Sequence, residues 1–150
     1  MPLEYLTNSP SQTKRIGKNF AKEILKTKNN KKAIIIGLEG DLGGGKTTFL
    51  QGFAFGLEIK EKILSPTFVI FKRFKVKDLR IKNFYHFDCY RIKNSKEILN
   101  INFKEIISNP QNVIAIEWAE RVKSLLPKNI AWIKFDFVDR NKRKIIFKNR

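Results

Sequence analysis

One stretch restricts the possible folds of this chain more than any other: Gly40-Asp41-Leu42-Gly43-Gly44-Gly45-Lys46-Thr47-Thr48. It fits G-x-x-x-x-G-K-[ST], with Gly40, Gly45, Lys46 and Thr47 at the four fixed positions. Before it runs Ala33-Ile34-Ile35-Ile36-Gly37-Leu38, apolar nearly throughout and rich in β-branched residues, the signature of a buried strand. After it, Thr47 to Phe55 can be helical, with Gly56 placed to cap the end. Strand, glycine loop and helix in this order form a phosphate cradle. Consecutive N–H groups turn toward an anion and the helix N-terminus adds positive potential. In that cradle Lys46 reaches the β- and γ-phosphates and the Thr47 hydroxyl ligates Mg²⁺. A chain of this size matches the bare pattern by accident on the order of 1% of the time, and the flanking elements make accident rarer.

The 150 residues fit one domain, residues 1–150, large enough for a full core. Cys89 is the only cysteine, so no intrachain disulfide forms. The N-terminal Met1-Pro2-Leu3-Glu4-Tyr5-Leu6 has neither the basic segment nor the apolar core of a signal peptide, and no apolar run reaches the ~20 residues that span a bilayer. A cytoplasmic protein with no membrane partner is expected. The net charge of +17 has two readings. A field of that size attracts polyanions such as RNA. Alternatively it is compositional drift, because Lys outnumbers Arg, Ile, Asn and Phe are also abundant, and the basic residues are spread rather than clustered.

Ser9-Pro10-Ser11-Gln12 opens a helix: Ser9 caps, Pro10 suits the first position and Gln12 completes a capping box. Ile16, Phe20, Ile24 and Leu25 recur along it as an apolar face. Past the cradle, Pro66 keeps Ser65 extended, Phe68 to Val76 alternates as a strand, and Lys77-Asp78-Leu79-Arg80 is a turn. Phe84 to Asp88 is a second strand. Asn94-Ser95 caps a helix carrying Ile98 to Ile107, which Pro110 ends. Val113 to Glu117 is another apolar strand, Ala119 to Leu126 a short helix closed by Pro127, and Ile130–Val138 with Lys144–Phe147 a hairpin. The expected fold is α/β: a single P-loop NTPase domain whose mixed sheet is parallel near the P-loop, antiparallel elsewhere and flanked by helices.

Two of these apolar strands end in a carboxylate, Asp88 and Glu117. A P-loop enzyme needs such an acid to hold Mg²⁺ and often one to orient the attacking group. Ser65 and Thr67 lie on a loop able to close over a γ-phosphate, although spacing alone reads as a plain proline turn. His86, the only histidine, is more readily packed or hydrogen-bonded than catalytic. Cys89 has no companion for metal binding. Arg91 is equally a charge donor or a solvated arginine, and Trp118 alone reads as core.

The ordered set Gly40–Thr48, Ser65-Pro66-Thr67-Phe68, His86-Phe87-Asp88-Cys89-Tyr90-Arg91 and Glu117-Trp118-Ala119-Glu120-Arg121 resembles the TsaE family, the bacterial P-loop ATPases of tRNA threonylcarbamoyladenosine biosynthesis. The match covers nearly the whole chain, including Gln12-Thr13 and Gly17. The resemblance implies that Lys46 and Thr47 bind phosphates and Mg²⁺, and that Asp88 and Glu117 are the Mg²⁺-associated and catalytic carboxylates, their roles undivided. It makes Thr67 a nucleotide-sensing switch, Trp118 a functional residue beside the site, and places Thr13 near the nucleoside. It also implies ATP and Mg²⁺ as cofactors, a weak ATPase stimulated by partners, and a role in resetting the TsaB–TsaD complex that transfers the threonylcarbamoyl group to tRNA. The chain departs from the family at Ala119, where Pro is usual, at Cys89, where Leu is usual, and at Asn102, where Gly is common; Asn tolerates the same positive φ. Two other readings stand beside this one. A small-molecule P-loop kinase would need an arginine lid that Arg73, Arg80 and Arg91 are too scattered to form, and a nucleotide-gated RNA-binding module is motivated by the charge.

Overall fold

A computed structural model describes residues 3–26, 31–40, 45–64 and 70–148. Within them seven strands form one sheet: β1 (Leu3–Thr7), β2 (Ile34–Gly40), β3 (Phe71–Lys75), β4 (Asn83–Asp88), β5 (Asn112–Glu117), β6 (Ala131–Phe137) and β7 (Arg143–Lys148), in the order β1-β7-β6-β2-β5-β4-β3. The four inner strands β6, β2, β5 and β4 pair in parallel, whereas β1, β7 and β3 add antiparallel at the two sides. This is the mixed α/β sheet that the strand pattern predicts. β2 and β5 read as continuous apolar runs because both of their faces are covered.

One face of the sheet carries helices α1 (Pro10–Lys26) and α2 (Lys46–Gly56). The α1 start follows its sequence chemistry, with Ser9 Oγ accepting from Gln12 N–H and Gln12 Oε1 accepting from the Asn8 N–H. Its buried residues are Thr13, Gly17, Ala21 and Ile24, so the face turned inward is a stripe of small residues that ends in Ile24, the one member of the expected apolar face that is buried. Ile16, Phe20 and Leu25, expected on the buried face, are only partly buried and pack along its sides. The reason lies in α2. A Cβ on Gly52 would stand 1.9 Å from the Lys14 carbonyl oxygen, and one on Gly17 would stand 2.1 Å from that of Phe49. The helices therefore meet backbone to backbone. Gly56 serves the same contact (2.6 Å to Lys18 O) and is not the expected cap. The helix closes at Leu57, and the positive φ falls on Glu58. Beneath them Phe49, Phe53, Phe84 and Phe135 are fully buried, each contributing about 1.5–3 kcal/mol.

The opposite face is covered by shorter pieces. The single helix expected after Asn94 is two, a 3-10 helix over Ser95–Ile101 and α3 (Phe103–Ser108), separated by Asn102 at φ 59°. Its start is a full capping box between Asn94 and Glu97. A second 3-10 helix, Ala119–Leu125, follows β5. Ile98, Phe103, Ala119 and Val122 close this half of the core against Phe87, Ile114 and Ile116. Among the described residues no helix is long and apolar enough to cross a membrane.

Candidate functional site

The parallel strands β2, β4 and β5 end side by side, and Gly40, Asp88 and Glu117 of the predicted residues stand at those ends, where open α/β sheets place their ligands. Gly40 closes β2 at φ 133°, with its Cα so near the β6 backbone that a side chain would strike the Phe135 carbonyl at 2.1 Å. Gly45 (φ 102°) precedes the first turn of α2, in which Lys46, Thr47 and Thr48 follow. Asp41, Leu42, Gly43 and Gly44 lie outside the described residues, as do Ser65 and Thr67 of the expected switch loop.

Asp88 and Glu117 end β4 and β5 and are partners in the parallel register. Strand alternation puts His86, Asp88 and Glu117 on the face that α2 covers, together with Phe84, Val113 and Ala115 of the core beneath that helix. The two acids differ in surroundings. Asp88 is half-buried and its Oδ1 accepts the Tyr90 N–H at 3.0 Å. Glu117 is 3% exposed, and His86 Nε2 donates to its Oε2 at 2.6 Å. Desolvation raises the Asp88 carboxyl above the usual aspartate range. Glu117 pushes it the same way, while the Tyr90 N–H, His86 and Lys46 oppose without cancelling the rise.

Lys46 is nearly buried. Its Nζ donates to the Gly40 carbonyl at 2.5 Å and stands 4.1 Å from the centre of the Trp118 ring. Trp118, at φ 58°, ends β5 with a sharp turn that folds its indole back to the lysine. The same indole lies 5.2 Å from the Tyr90 ring, and the Arg121 guanidinium stands 5.0 Å and 5.4 Å from the two ring centres while donating to the Tyr90 carbonyl. Trp118 is thus half-buried beside Lys46 and also packed against the core. Arg121, not the exposed Arg91, joins it; the signal was its place three residues past Trp118 at the start of a helical turn.

On the other side of Gly45 stand Thr13 and Arg143. The Thr13 methyl lies 3.7 Å and Arg143 Cγ 3.5 Å from where a Gly45 Cβ would be. Thr13 is buried and its hydroxyl bonds that of Thr7 at 2.8 Å, which fixes it beside the cradle. Cys89 is buried, its thiol pushed up to about 12 by desolvation and by the Asp88 charge, so it stays protonated at neutral pH.

A hard divalent cation such as Mg²⁺ fits this donor set. It needs one or two carboxylates and takes its other ligands from water and phosphate. The residues that would hold it are Asp88, desolvated beside a second carboxylate, and Thr47 in the first turn of α2. No group of three or more His, Cys, Asp or Glu stands ready as a cage among the described residues.

Sheet order, glycine motif and strand-end acids place this chain in the class of single-domain α/β proteins with a P-loop sequence between strand and helix. It belongs to the TsaE family: the profile described as "Threonylcarbamoyl adenosine biosynthesis protein TsaE" matches residues 7–145. Two relatives named "tRNA threonylcarbamoyladenosine biosynthesis protein TsaE" are similar over most of their length. That of Rickettsia typhi is 37% identical over 137 residues, 91% of this chain and 88% of its own. That of Bacillus subtilis is 35% identical over 145 residues, 97% of this chain and 84% of its own. The crystal structure of Bacillus subtilis YdiB superposes with a TM-score of 0.73 at 30% identity, covering 99% of this chain and 86% of that one.

Proposed function

We propose that this chain is a Mg²⁺-dependent ATPase of tRNA threonylcarbamoyladenosine synthesis, working in the cytoplasm, whose hydrolysis resets a TsaB–TsaD transfer complex. The observation that carries the chemical part is the meeting of Lys46, whose Nζ bonds the Gly40 carbonyl at the end of β2, with Asp88 and Glu117 at the ends of the neighbouring parallel strands β4 and β5. The biosynthetic part rests on the family and on the names its members carry; TsaB and TsaD as partners rest on the family resemblance.

In this reading Lys46 leaves the Gly40 carbonyl and the Trp118 ring to meet the β- and γ-phosphates, and the α2 N-terminus adds its N–H groups. Thr47 and Asp88 hold the metal ion, which when bound neutralises charge developing on the phosphates. Glu117, held by His86, orients the attacking water. Thr13 borders the nucleoside end, Thr67 reports the γ-phosphate, and Trp118 is released by Lys46 when nucleotide enters. Partner proteins raise a turnover that is weak alone.

Lys46→Ala removes the cation from the phosphates and lowers ATP turnover about 100-fold or more, measured by phosphate release with a TsaB–TsaD pair present. Turnover within a few-fold of the unmodified chain would sink the reading. The arginines of a kinase lid do not converge: Arg73 sits on the outer strand β3, Arg80 bonds the Leu25 carbonyl and Arg91 is exposed. The charge of +17 keeps a second reading, direct RNA binding without relevant turnover. Its affinity for tRNA would fall linearly with the logarithm of salt concentration, and absence of binding at low salt would remove it.

A further inference from the structure

We infer that His86 is a positioning residue: its Nε2–H holds the Glu117 carboxylate in the orientation that turnover requires. This rests on Glu117 acting on the attacking water, as proposed above. The geometry is specific. His86 and Ala115 are register partners on β4 and β5, and Glu117 lies two residues beyond Ala115 on the same face. Because Ala115 is small, the imidazole can lie across it and reach the glutamate diagonally, a span long side chains on one sheet face can bridge. The bond is short, 2.6 Å, and both side chains are excluded from water, at 1% and 4% exposure.

The other ring nitrogen decides between packing and positioning. Nδ1 is buried with no hydrogen-bond partner among the described residues. The ring proton is therefore assigned to Nε2, where a carboxylate accepts it. A histidine kept only to fill the core would be better replaced by an apolar residue of similar size, since a buried polar atom without a partner costs stability. The cost is tolerated at the end of a parallel strand, two residues from Asp88 and against Glu117. Among the described residues this is the one buried histidine–carboxylate pair, and its carboxylate belongs to the candidate site.

Three substitutions test this in the full-length protein. His86→Leu removes the donor and His86→Asn shortens it out of reach. His86→Gln keeps an N–H near the Nε2 position. ATP turnover should fall about 10–100-fold in His86→Leu and His86→Asn, the range for removing a group that orients a working ligand, with the dissociation constant for ADP unchanged within about twofold. His86→Gln should recover to within about threefold of the unmodified chain. Melting temperatures separate folding loss from positioning, and if His86→Leu does not fold, the contrast of Asn with Gln decides alone. Turnover equal in all variants, or His86→Gln as low as His86→Asn, would overturn the inference. Glu117→Gln runs alongside. If it keeps full turnover, the reading of Glu117 fails; if it is inactive while His86→Asn is not, only the role of His86 fails.

Discussion

The two faces of the sheet are built on different terms. Beneath α1 and α2 the contact is set by glycines whose missing side chains let carbonyl oxygens approach to 1.9–2.6 Å of the Cβ positions. That face has two long helices and no residue at positive φ within them. The other face is laid with short 3-10 and helical pieces broken at Asn102 and Trp118, both at positive φ. The site draws on both. The close-packed face fixes the first turn of α2 and hence Lys46. The broken face supplies Trp118 and Arg121, because only a chain that turns sharply at the end of β5 can bring an indole back over that lysine. A close-packed platform holds Lys46, and a segmented layer positions what surrounds it.

If that contrast is right, the largest loss comes from filling the helix contact. Gly52→Ala puts a methyl against the Lys14 backbone, which has no rotamer to yield. Expected is a loss of about 3 kcal/mol or more, a fall in melting temperature of about 6–12 °C by calorimetry. A change under about 2 °C would mean the helices slide freely.

The broken face should be more forgiving. Asn102→Ala strains one left-handed residue at about 1–2 kcal/mol, whereas Asn102→Gly should stay within about 0.5 kcal/mol, as for surface substitutions generally. Urea titration of both reads the difference. Equal costs for Asn102→Ala and Gly52→Ala would erase the comparison.

The smallest effect belongs to the site between the faces. The Asp88 carboxyl is raised in the folded protein, chiefly by desolvation, so the folded state holds that proton more tightly than the unfolded chain. Stability then falls as pH rises from the ordinary aspartate range through the raised value. Asp88→Asn should therefore raise the melting temperature slightly at pH 7, with the gain shrinking in acid, while ATP turnover is lost. An equal gain at pH 7 and below the ordinary aspartate range would show that charge is not its source.

Much of this was legible in advance where a local signal existed. The Asn94 cap, the Asp78 turn, in which Oδ1 accepts the Arg80 and Ile81 N–H groups, and the strands ending in Asp88 and Glu117 were each written in a few consecutive residues. β1 was not, because Leu3, Tyr5 and Leu6 are exposed at the edge of the sheet and show no alternation. The buried stripe of α1 was misjudged toward Ile16 and Phe20 because hydrophobicity cannot announce that a neighbouring helix carries glycines. His86 read as packed or hydrogen-bonded, and it is both, but its partner was not legible since nothing within β4 points to Glu117, 31 positions away.

By itself, the sequence determined that a glycine-rich P-loop motif lies between an apolar strand and a helix, that two acids end apolar strands, and that the family is TsaE. These are short-range properties of backbone preference and spacing. Only the tertiary structure decided that β4 and β5 are neighbours in register, that His86 reaches Glu117 across Ala115, and that Trp118 turns back over Lys46. Each depends on strand order and on how closely two helices can approach, and those follow from the packing of the whole core instead of any one segment.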